Sequence, residues 1–323
     1  MKKAVRRFGT IQGLNTAVTM VAVFAIFAIF TPNNVFVNPR NLTTVARLMP
    51  DMGIITLGVG ILMIAGEFDL SVSSVLPICS YVFVQYLIAG MLPLPALLLT
   101  IPVGAALGFF NGIIVAKTKL PSFIITLSTM LFLKGLLFGL SKMMPISLNK
   151  YLDPDMAFVR MFTGSVGPIP AGFIWLIGIA LVLGIFLRRN KVGNWVYAVG
   201  SNEQAARAMG IKIGAVKVGL YMLIGVLAAI GGIMQATRLG SFSATQAVGF
   251  ELKAIAAVVI GGTSLRGGVG SMWSIFLGLI IIKIIENGLI LMRVPVFGID
   301  AFIGVAVIVF VILNDMLNRR AGQ

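Results

Sequence analysis

Residues 217–238 read KVGLYMLIGVLAAIGGIMQATR, a segment in which only the first and last residues are charged. The uncharged stretch between them is long enough to cross the hydrocarbon core of a bilayer as an α-helix. Similar apolar runs recur along the chain, in which 59% of residues are hydrophobic and 11% are charged. Soluble domains carry about a quarter charged residues, and the long alternating segments of a β-barrel do not occur here. The sequence therefore predicts an all-α polytopic membrane protein.

Ten segments are predicted to span the membrane. They are residues 14–30, 50–66, 71–90, 94–116, 122–140, 171–187, 217–238, 253–263, 270–291 and 298–314. The eighth is unusual, because GGTSLRGGVGS at 261–271 follows its apolar core at once. About 11 helical residues cover only about 16 Å, so a broken or re-entrant element is expected there. Nine spans therefore remain an alternative to ten.

The net charge of +15 does not indicate a nucleic-acid partner in a chain of this kind. Lys and Arg are concentrated in short segments that alternating spans place on one side, including residues 1–13 and 188–217. Because cytoplasmic loops of membrane proteins are enriched in Lys and Arg, both termini are predicted to be cytoplasmic. The chain, residues 1–323, is interpreted as a single transmembrane domain.

The residues available for catalysis are few. The chain has no histidine, and Cys79 is its only cysteine, which excludes an internal disulfide and any metal site built on several cysteines. The GxxxxGK[ST] motif that cradles nucleotide phosphates is absent, as are HExxH, CxxC and GxSxG. The sequence predicts neither an enzyme nor a bound metal, and no cofactor in this chain.

The longest polar interruption is Arg188 to Lys217, RRNKVGNWVYAVGSNEQAARAMGIKIGAVK. Within it, Asn202 to Met209 is predicted to form a short helix. Asn202 can cap its N-terminus, Glu203 lies in the first turn, where the helix dipole favours an anion, and Gly210 can end it. A short alanine-rich helix between membrane spans is typical of a surface on which a partner protein docks.

Charged residues within spans are candidates for function. Lys283 and Glu286 lie three apart on one helix face and can neutralise each other, with Asn287 adding a hydrogen bond. Asp51 lies close to an interface and need not be buried. Asp69 or Ser71 can cap the helix that follows, and we favour this role over direct contact with a substrate.

Four segments, in this order, carry a resemblance to a known family. They are GEFDLSVSSV at 66–75, AVGSNEQAARAMGI at 198–211, AAVVIGGTSLRGGVGS at 256–271 and NGLILMRVP at 287–295. The sequence resembles the permease subunits of bacterial ABC importers for simple sugars, the ribose/xylose/arabinose permease family, and the likeness covers nearly the whole chain. Glu67, Phe68 and Ser74 depart from that family's G-G-I-D-L-S-V-G pattern.

The resemblance implies a multi-pass protein of the bacterial plasma (inner) membrane that forms the translocation path for a monosaccharide by alternating access. It implies a second permease subunit, of the same or a different kind, and an extracytoplasmic sugar-binding protein. Two cytoplasmic ATPase subunits, which bind ATP and Mg²⁺, are implied to dock on the 188–217 loop. The implied coupling residues are Asn202, Glu203, Ala205, Ala206, Arg207 and Gly210. Candidates for the path or its gate are Asp69, Ser71, Ser73, Thr263, Ser264 and Asn287.

Two other functions are weighed against a sugar importer. An ABC permease for a nucleoside or similar small polar solute is the nearest, since related permeases carry such solutes. A stand-alone secondary carrier needs an ion or proton site within the membrane, and the sparse intramembrane charges argue against one.

Overall fold

The computed structural model describes residues 13–118 and 120–321, with the backbone alone at residues 296 and 311–321. The described chain is almost entirely helical. Its helices are α1 (Leu14–Phe30), α2 (Pro39–Ile64), α3 (Val72–Ile88), α4 (Pro93–Thr118), α5 (Ser122–Ser141), α6 (Ala157–Thr163), α7 (Ala171–Arg189), α8 (Lys191–Ser201), α9 (Glu203–Ala208), α10 (Ile213–Leu239), α11 (Phe250–Ile260), α12 (Met272–Leu291) and α13 (Val296–Ala321). The basic residues within 1–12, on which the predicted orientation partly rests, lie outside the described residues.

Six of the described helices are long and apolar enough to cross a membrane: α2, α4, α5, α7, α10 and α12. The helices α1 and α3 are apolar but shorter, with 17 residues each, and α13 contributes an apolar stretch at Phe297–Phe310. The predicted short element is present as α11, which has 11 residues. Every predicted span therefore overlaps a helix, which confirms an all-α polytopic fold.

The second helix begins much earlier than predicted. We expected a span from residue 50, whereas α2 begins at Pro39, with Asn38 as its N-cap. Asn38 accepts a hydrogen bond from the backbone N–H of Arg40 at 2.9 Å, and proline is well suited to the first helical position. The polar residues from Arg40 to Arg47, taken as loop from their composition, are therefore the outer turns of this helix.

Four very short strands join the loops at one end of the bundle. They are β1 (Ile146–Ser147), β2 (Ser165–Val166), β3 (Ile169–Pro170) and β4 (Ser241–Phe242). The strand β1 pairs antiparallel with β4, and β2 pairs antiparallel with β3. The first pairing ties the α5–α6 connection to the end of α10.

The core is built around α2. Every residue from Met49 to Ile64 is buried, with α10, α12, α7 and α11 packed around it. By contrast α4, α5 and α7 leave large apolar side chains exposed, among them Leu98, Phe132 and Val182. A membrane supplies the apolar surroundings that these side chains require.

The helices α4 and α10 pack closely together, and glycines make this possible. Gly104, Gly108 and Gly112 lie four residues apart on one face of α4. A β-carbon at Gly108 would lie 2.1 Å from the carbonyl oxygen of Tyr221, and one at Gly104 would lie 2.2 Å from that of Gly225. Small residues at this spacing let two backbones approach closely within a membrane.

We expect Gly108→Ala to destabilise the protein by about 1–3 kcal/mol, because the added methyl group meets backbone that cannot move aside. The matched control is Gly139→Ala in α5, where a β-carbon would meet no atom within 4 Å. That change should be neutral or slightly stabilising, because alanine favours a helix over glycine. Melting temperatures of the two variants in detergent provide the comparison, and equal values would contradict the close packing of α4 on α10.

Candidate functional site

The predicted polar helix is present as α9. Asn202 has extended backbone angles, and its side-chain oxygen accepts the N–H of Ala205 at 2.9 Å, as an N-cap does. Glu203 lies in the first turn. Gly210 has a φ of +79°, a left-handed conformation that follows the helix end and favours glycine. The local structure drawn from the sequence is therefore confirmed.

The exposed surface of α9 differs from the predicted one. Glu203, Ala205 and Arg207 are exposed, whereas Ala206 is completely buried against the chain itself. The prediction that Ala206 contributes to a docking surface is therefore wrong, because its methyl group anchors α9 from beneath. Met209, which sequence reasoning passed over, is 68% exposed at the end of the same helix.

A second helix, α8, precedes α9 and was not predicted. Asn190 caps it by accepting the N–H of Val192 at 2.9 Å, and Val196 and Val199 are buried. The signal was present in the sequence, since a capping asparagine precedes apolar residues at helical spacing. Tyr197 donates a hydrogen bond to the carbonyl of Gly270 at 2.9 Å, so α8 is fixed to the glycine-rich 261–271 segment.

Three backbone segments come into direct contact at the end of α8. A β-carbon at Gly200 would lie 1.9 Å from the carbonyl oxygen of Ile64, and one at Gly267 would lie 2.8 Å from the backbone of Gly66. The N–H of Gly268 donates to the carbonyl of Ile64 at 2.8 Å. We call this contact of residues 64–66, 200–201 and 267–268 the glycine junction. It joins the end of α2, the end of α8 and the segment between α11 and α12.

An ion-pair bridge connects α9 to the same region. The Lys217 ammonium lies 2.6 Å from a carboxylate oxygen of Glu67 and 3.1 Å from one of Glu203. The side chains of Lys217 and Glu67 are each 12% exposed, so their attraction is screened less than that of a surface pair. The Glu203–Arg207 contact, at 3.5 Å, is exposed and contributes little. Lys217 therefore links α9 to the loop between α2 and α3.

That loop, residues 65–71, is held by a buried hydrogen-bond network. One carboxylate oxygen of Asp69 accepts the Ser71 backbone N–H at 2.8 Å and the Ser71 hydroxyl at 2.6 Å. The Asn111 amide donates to the Ser71 hydroxyl oxygen at 2.8 Å, and Tyr221 donates to the Phe68 carbonyl at 2.8 Å. The predicted side-chain cap is not formed, because the Ser71 side chain makes no hydrogen bond to α3 from the N-cap position. Asp69 bonds to Ser71 instead.

The six path candidates are not brought together. Asp69 and Ser71 lie buried in the α2–α3 connection, and Ser73 lies buried in the first turn of α3. Their hydrogen bonds hold the chain's own backbone. Thr263 and Ser264 lie beside the glycine junction, and the buried Thr263 hydroxyl has no hydrogen-bond partner among the described residues.

Asn287 lies far from the other candidates, in the later part of α12. It exchanges two amide hydrogen bonds with Asn41 of α2, at 2.9 and 3.0 Å. The predicted Lys283–Glu286 pair is present at 2.8 Å. The prediction that Asn287 adds a hydrogen bond to that pair is wrong, because the Asn287 amide bonds to Asn41 instead. Lys253 instead joins Glu286, at 3.0 Å.

Asp51 was predicted to lie near an interface and not to need burial, and the structure differs. It is buried and pairs with Arg238 of α10 through two hydrogen bonds, one of them 3.1 Å from Nε to a carboxylate oxygen. Burial is tolerated because both carboxylate oxygens meet the guanidinium. The sequence alone placed Asp51 near an interface, because it did not show that α2 extends twelve residues beyond it, to Pro39.

Residues 41–313 match a protein family that is described as the permease component of a branched-chain amino acid transport system. The chain belongs to this permease family. It is 31% identical to the xylose/arabinose import permease protein XylH of Sulfolobus acidocaldarius, over 94% of this chain and 85% of the relative. It is 33% identical to the ribose import permease protein RbsC of Bacillus subtilis, over 97% and 96%. No solved structure matches the chain.

A third relative is the probable ABC transporter permease protein y4mJ of Sinorhizobium fredii, which is 33% identical over 87% of this chain and 83% of the relative. These matches extend over nearly all of each relative, so they concern the whole membrane domain and not a shared fragment. The chain is a multi-pass permease subunit of the plasma membrane, which is a component of a transporter and not an enzyme.

The buried Asp69 carboxyl generates a pH-dependent prediction. Burial raises the pKa of Asp69 to about 6, and the hydrogen bonds from Ser71 only partly oppose this. The folded protein therefore holds this proton more tightly than the unfolded chain. The contribution of Asp69 to folded stability falls as the pH rises from about 4 to about 6 and stays low above that range.

We expect Asp69→Asn to keep both acceptor bonds, to equal or exceed the wild type in melting temperature at pH 7, and to lose this advantage near pH 4. Asp69→Ala removes both bonds and should destabilise at either pH, by about 2 kcal/mol. Thermal unfolding in detergent across the pH range tests this. An asparagine variant less stable than wild type at pH 7 would show that the carboxylate charge is needed.

Proposed function

We propose that the chain is the membrane-spanning permease subunit of an ATP-driven ABC importer that carries a simple sugar by alternating access. The relatives named for ribose and for xylose/arabinose import support a monosaccharide as the solute. The observation that carries the proposal is the exposed, charged helix α9, which Lys217 and the glycine junction connect to the innermost helix of the bundle. A partner protein that displaces α9 therefore acts on the core through these contacts.

The proposed orientation places α9 in the cytoplasm, together with both termini. Five described basic residues near it are exposed on this side of the bundle, as the positive-inside rule requires: Arg188, Arg189, Lys191, Arg207 and Lys212. Ten crossings follow if α11 and the 261–271 segment count together as one. This is supported by Gly268, which reaches the cytoplasmic end of α2 at Ile64.

The proposed partners are two cytoplasmic ATPase subunits, a second permease subunit of the same or a different kind, and an extracytoplasmic sugar-binding protein. ATP and Mg²⁺ are bound by the ATPase subunits. Glu203, Ala205, Arg207 and Met209 are the side chains of α9 that we propose touch an ATPase subunit, since all four are exposed. Asn202 and Gly210 set the start and the end of that helix, and Ala206 holds it to the permease.

The mechanism begins with closure of the ATPase subunits, which bind the two states of the permease with different affinity and so shift their populations. Displacement of α9 acts on Lys217 and hence on the 65–71 loop. The glycine junction moves with it, because segments in direct backbone contact cannot slide without breaking that contact. The end of α2 and the segment between α11 and α12 then shift together, which switches the path between outward- and inward-facing.

Glu67 allows transmission to be separated from docking, because its side chain is almost buried and faces Lys217. We expect Glu67→Gln to leave co-purification with the ATPase subunits unchanged and to lower the sugar carried per ATP hydrolysed by about fivefold. Lys217→Met, which breaks both ion pairs, should lower that ratio further. Transport and hydrolysis are measured together in proteoliposomes.

The matched control is Asp300→Asn. Lys253 is shared by Glu286 and Asp300, each at 3.0 Å, just as Lys217 is shared by two acids, but this cluster lies far from α9. Removing one acid there should not change the coupling ratio. An unchanged ratio of sugar carried to ATP hydrolysed in Glu67→Gln would show that the ion pairs of Lys217 do not transmit the movement of α9. An equal decrease of that ratio in Asp300→Asn would show the same.

The function as a whole is tested by reconstituting the chain with its ATPase subunits and measuring hydrolysis with a panel of loaded binding proteins. Stimulation by a monosaccharide-loaded protein is expected. Gradient-driven uptake by the purified chain alone would overturn the proposal in favour of a secondary carrier, and stimulation only by a nucleoside-loaded protein would reassign the solute.

A further inference from the structure

The turns of α2 farthest from the glycine junction carry a polar stripe. Arg40, Thr43, Thr44 and Arg47 follow a spacing of three and four residues, so they share one helix face. Arg40, Thr44 and Arg47 are exposed. Guanidinium groups are costly in contact with lipid, so this face requires water or polar partners. We call these four residues the α2 stripe.

The α2 stripe lines an open groove of about 520 Å³, which Arg238 of α10 completes. This volume is large enough for a monosaccharide with water around it. The groove lies at the opposite end of α2 from Ile64, and a helix of 26 residues separates the two ends by about 39 Å. In the orientation proposed above, it opens on the extracytoplasmic side, where a solute enters.

The groove carries excess positive charge. The groups at the groove are three guanidiniums (Arg40, Arg47 and Arg238) and one carboxylate, that of Asp51. Their net charge is therefore two positive charges. Asp51 is already occupied by Arg238, and within the described residues Arg40 and Arg47 form no ion pair. Thr43 and Thr44 donate their hydroxyl protons to the carbonyls of Pro39 and Arg40, each at 2.9 Å. The groove therefore offers guanidinium donors and no free carboxylate.

We propose that this groove is a water-filled subsite of the translocation path that admits neutral and acidic monosaccharides and rejects amino sugars, which are cations at neutral pH. Arginine N–H groups donate to the oxygens of the sugar hydroxyls or to a carboxylate. A protonated amine meets two uncompensated positive charges and no free carboxylate that could offset them. The inference rests on the proposed function and assigns the path's charge selectivity to Arg40 and Arg47.

The single native cysteine makes a direct test possible, since Cys79 is completely buried. Thr44→Cys places a thiol in the groove, and Val166→Cys places one on the 68% exposed β2–β3 hairpin as a control. The permease–ATPase complex in nanodiscs is treated with two thiosulfonate reagents, one bearing a sulfonate and one bearing a trimethylammonium group. We expect the sulfonate-to-ammonium rate ratio to be about tenfold higher at position 44 than at position 166.

Charge neutralisation identifies the source of this preference. Arg40→Gln together with Arg47→Gln should bring the ratio at position 44 to within about twofold of the control, without affecting position 166. Both arginines are exposed, so the substitutions remove no core contact. A thiol at position 44 that does not react, or one with the control ratio, would show that the groove is not a cationic, water-filled space.

Solute protection is measured with the uncharged reagent N-ethylmaleimide. Galactose and galacturonate should slow the modification of the thiol at position 44, and galactosamine should not. Equal protection by galactosamine, or protection by none of the three, overturns the inference. The labelling reaction needs no ATP, so it tests the groove independently of transport. If the labelling shows a cationic groove but the complex does not import sugar, the proposed function is overturned and the inference about the groove is not.

Discussion

One largely buried ammonium, that of Lys217, holds the exposed helix α9 to the centre of the molecule. It is shared by Glu203, at the start of that helix, and Glu67, in the loop that leaves the end of α2. Removing a partner from such a pair leaves a charge that is buried and uncompensated, which costs more than the pair itself contributes. The arrangement therefore resists separation of α9 from the loop, and a load applied to one is carried to the other.

The glycine junction supplies the second constraint, and it is steric. Gly200 and Gly267 place backbone against backbone at distances that no side chain permits, so α8, the end of α2 and the segment after α11 act as one unit. The pairing of α4 with α10 relies on the same device deeper in the bundle. Ion pairs and glycine contacts thus have separate roles. The ion pairs of Lys217 hold α9 to the 65–71 loop, and the glycine contacts hold α8, the end of α2 and the 261–271 segment together.

Much of this could be predicted from the sequence. The apolar runs located the membrane helices, and Asn202 and Gly210 located α9, because spans and caps depend on local residues. The burial of Ala206, the exchange between Asn41 and Asn287, and the Asp51–Arg238 pair could not be predicted, because each depends on which helices become neighbours. The outer turns of α2 were missed because their composition is that of a loop, whereas the Asn38 cap and Pro39 make them helical.

We propose that α9 and the glycine junction move as one body when the ATPase subunits close. Spin labels at Gln204 on α9 and at Leu265 in the 261–271 segment, both exposed positions, report the distance between them by pulsed electron resonance. We expect the same distance distribution in the nucleotide-free and ATP-trapped complexes, while the distance between the α9 helices of the two permease subunits changes. A shift of the 204–265 distance by about 5 Å, one helical turn, would contradict it.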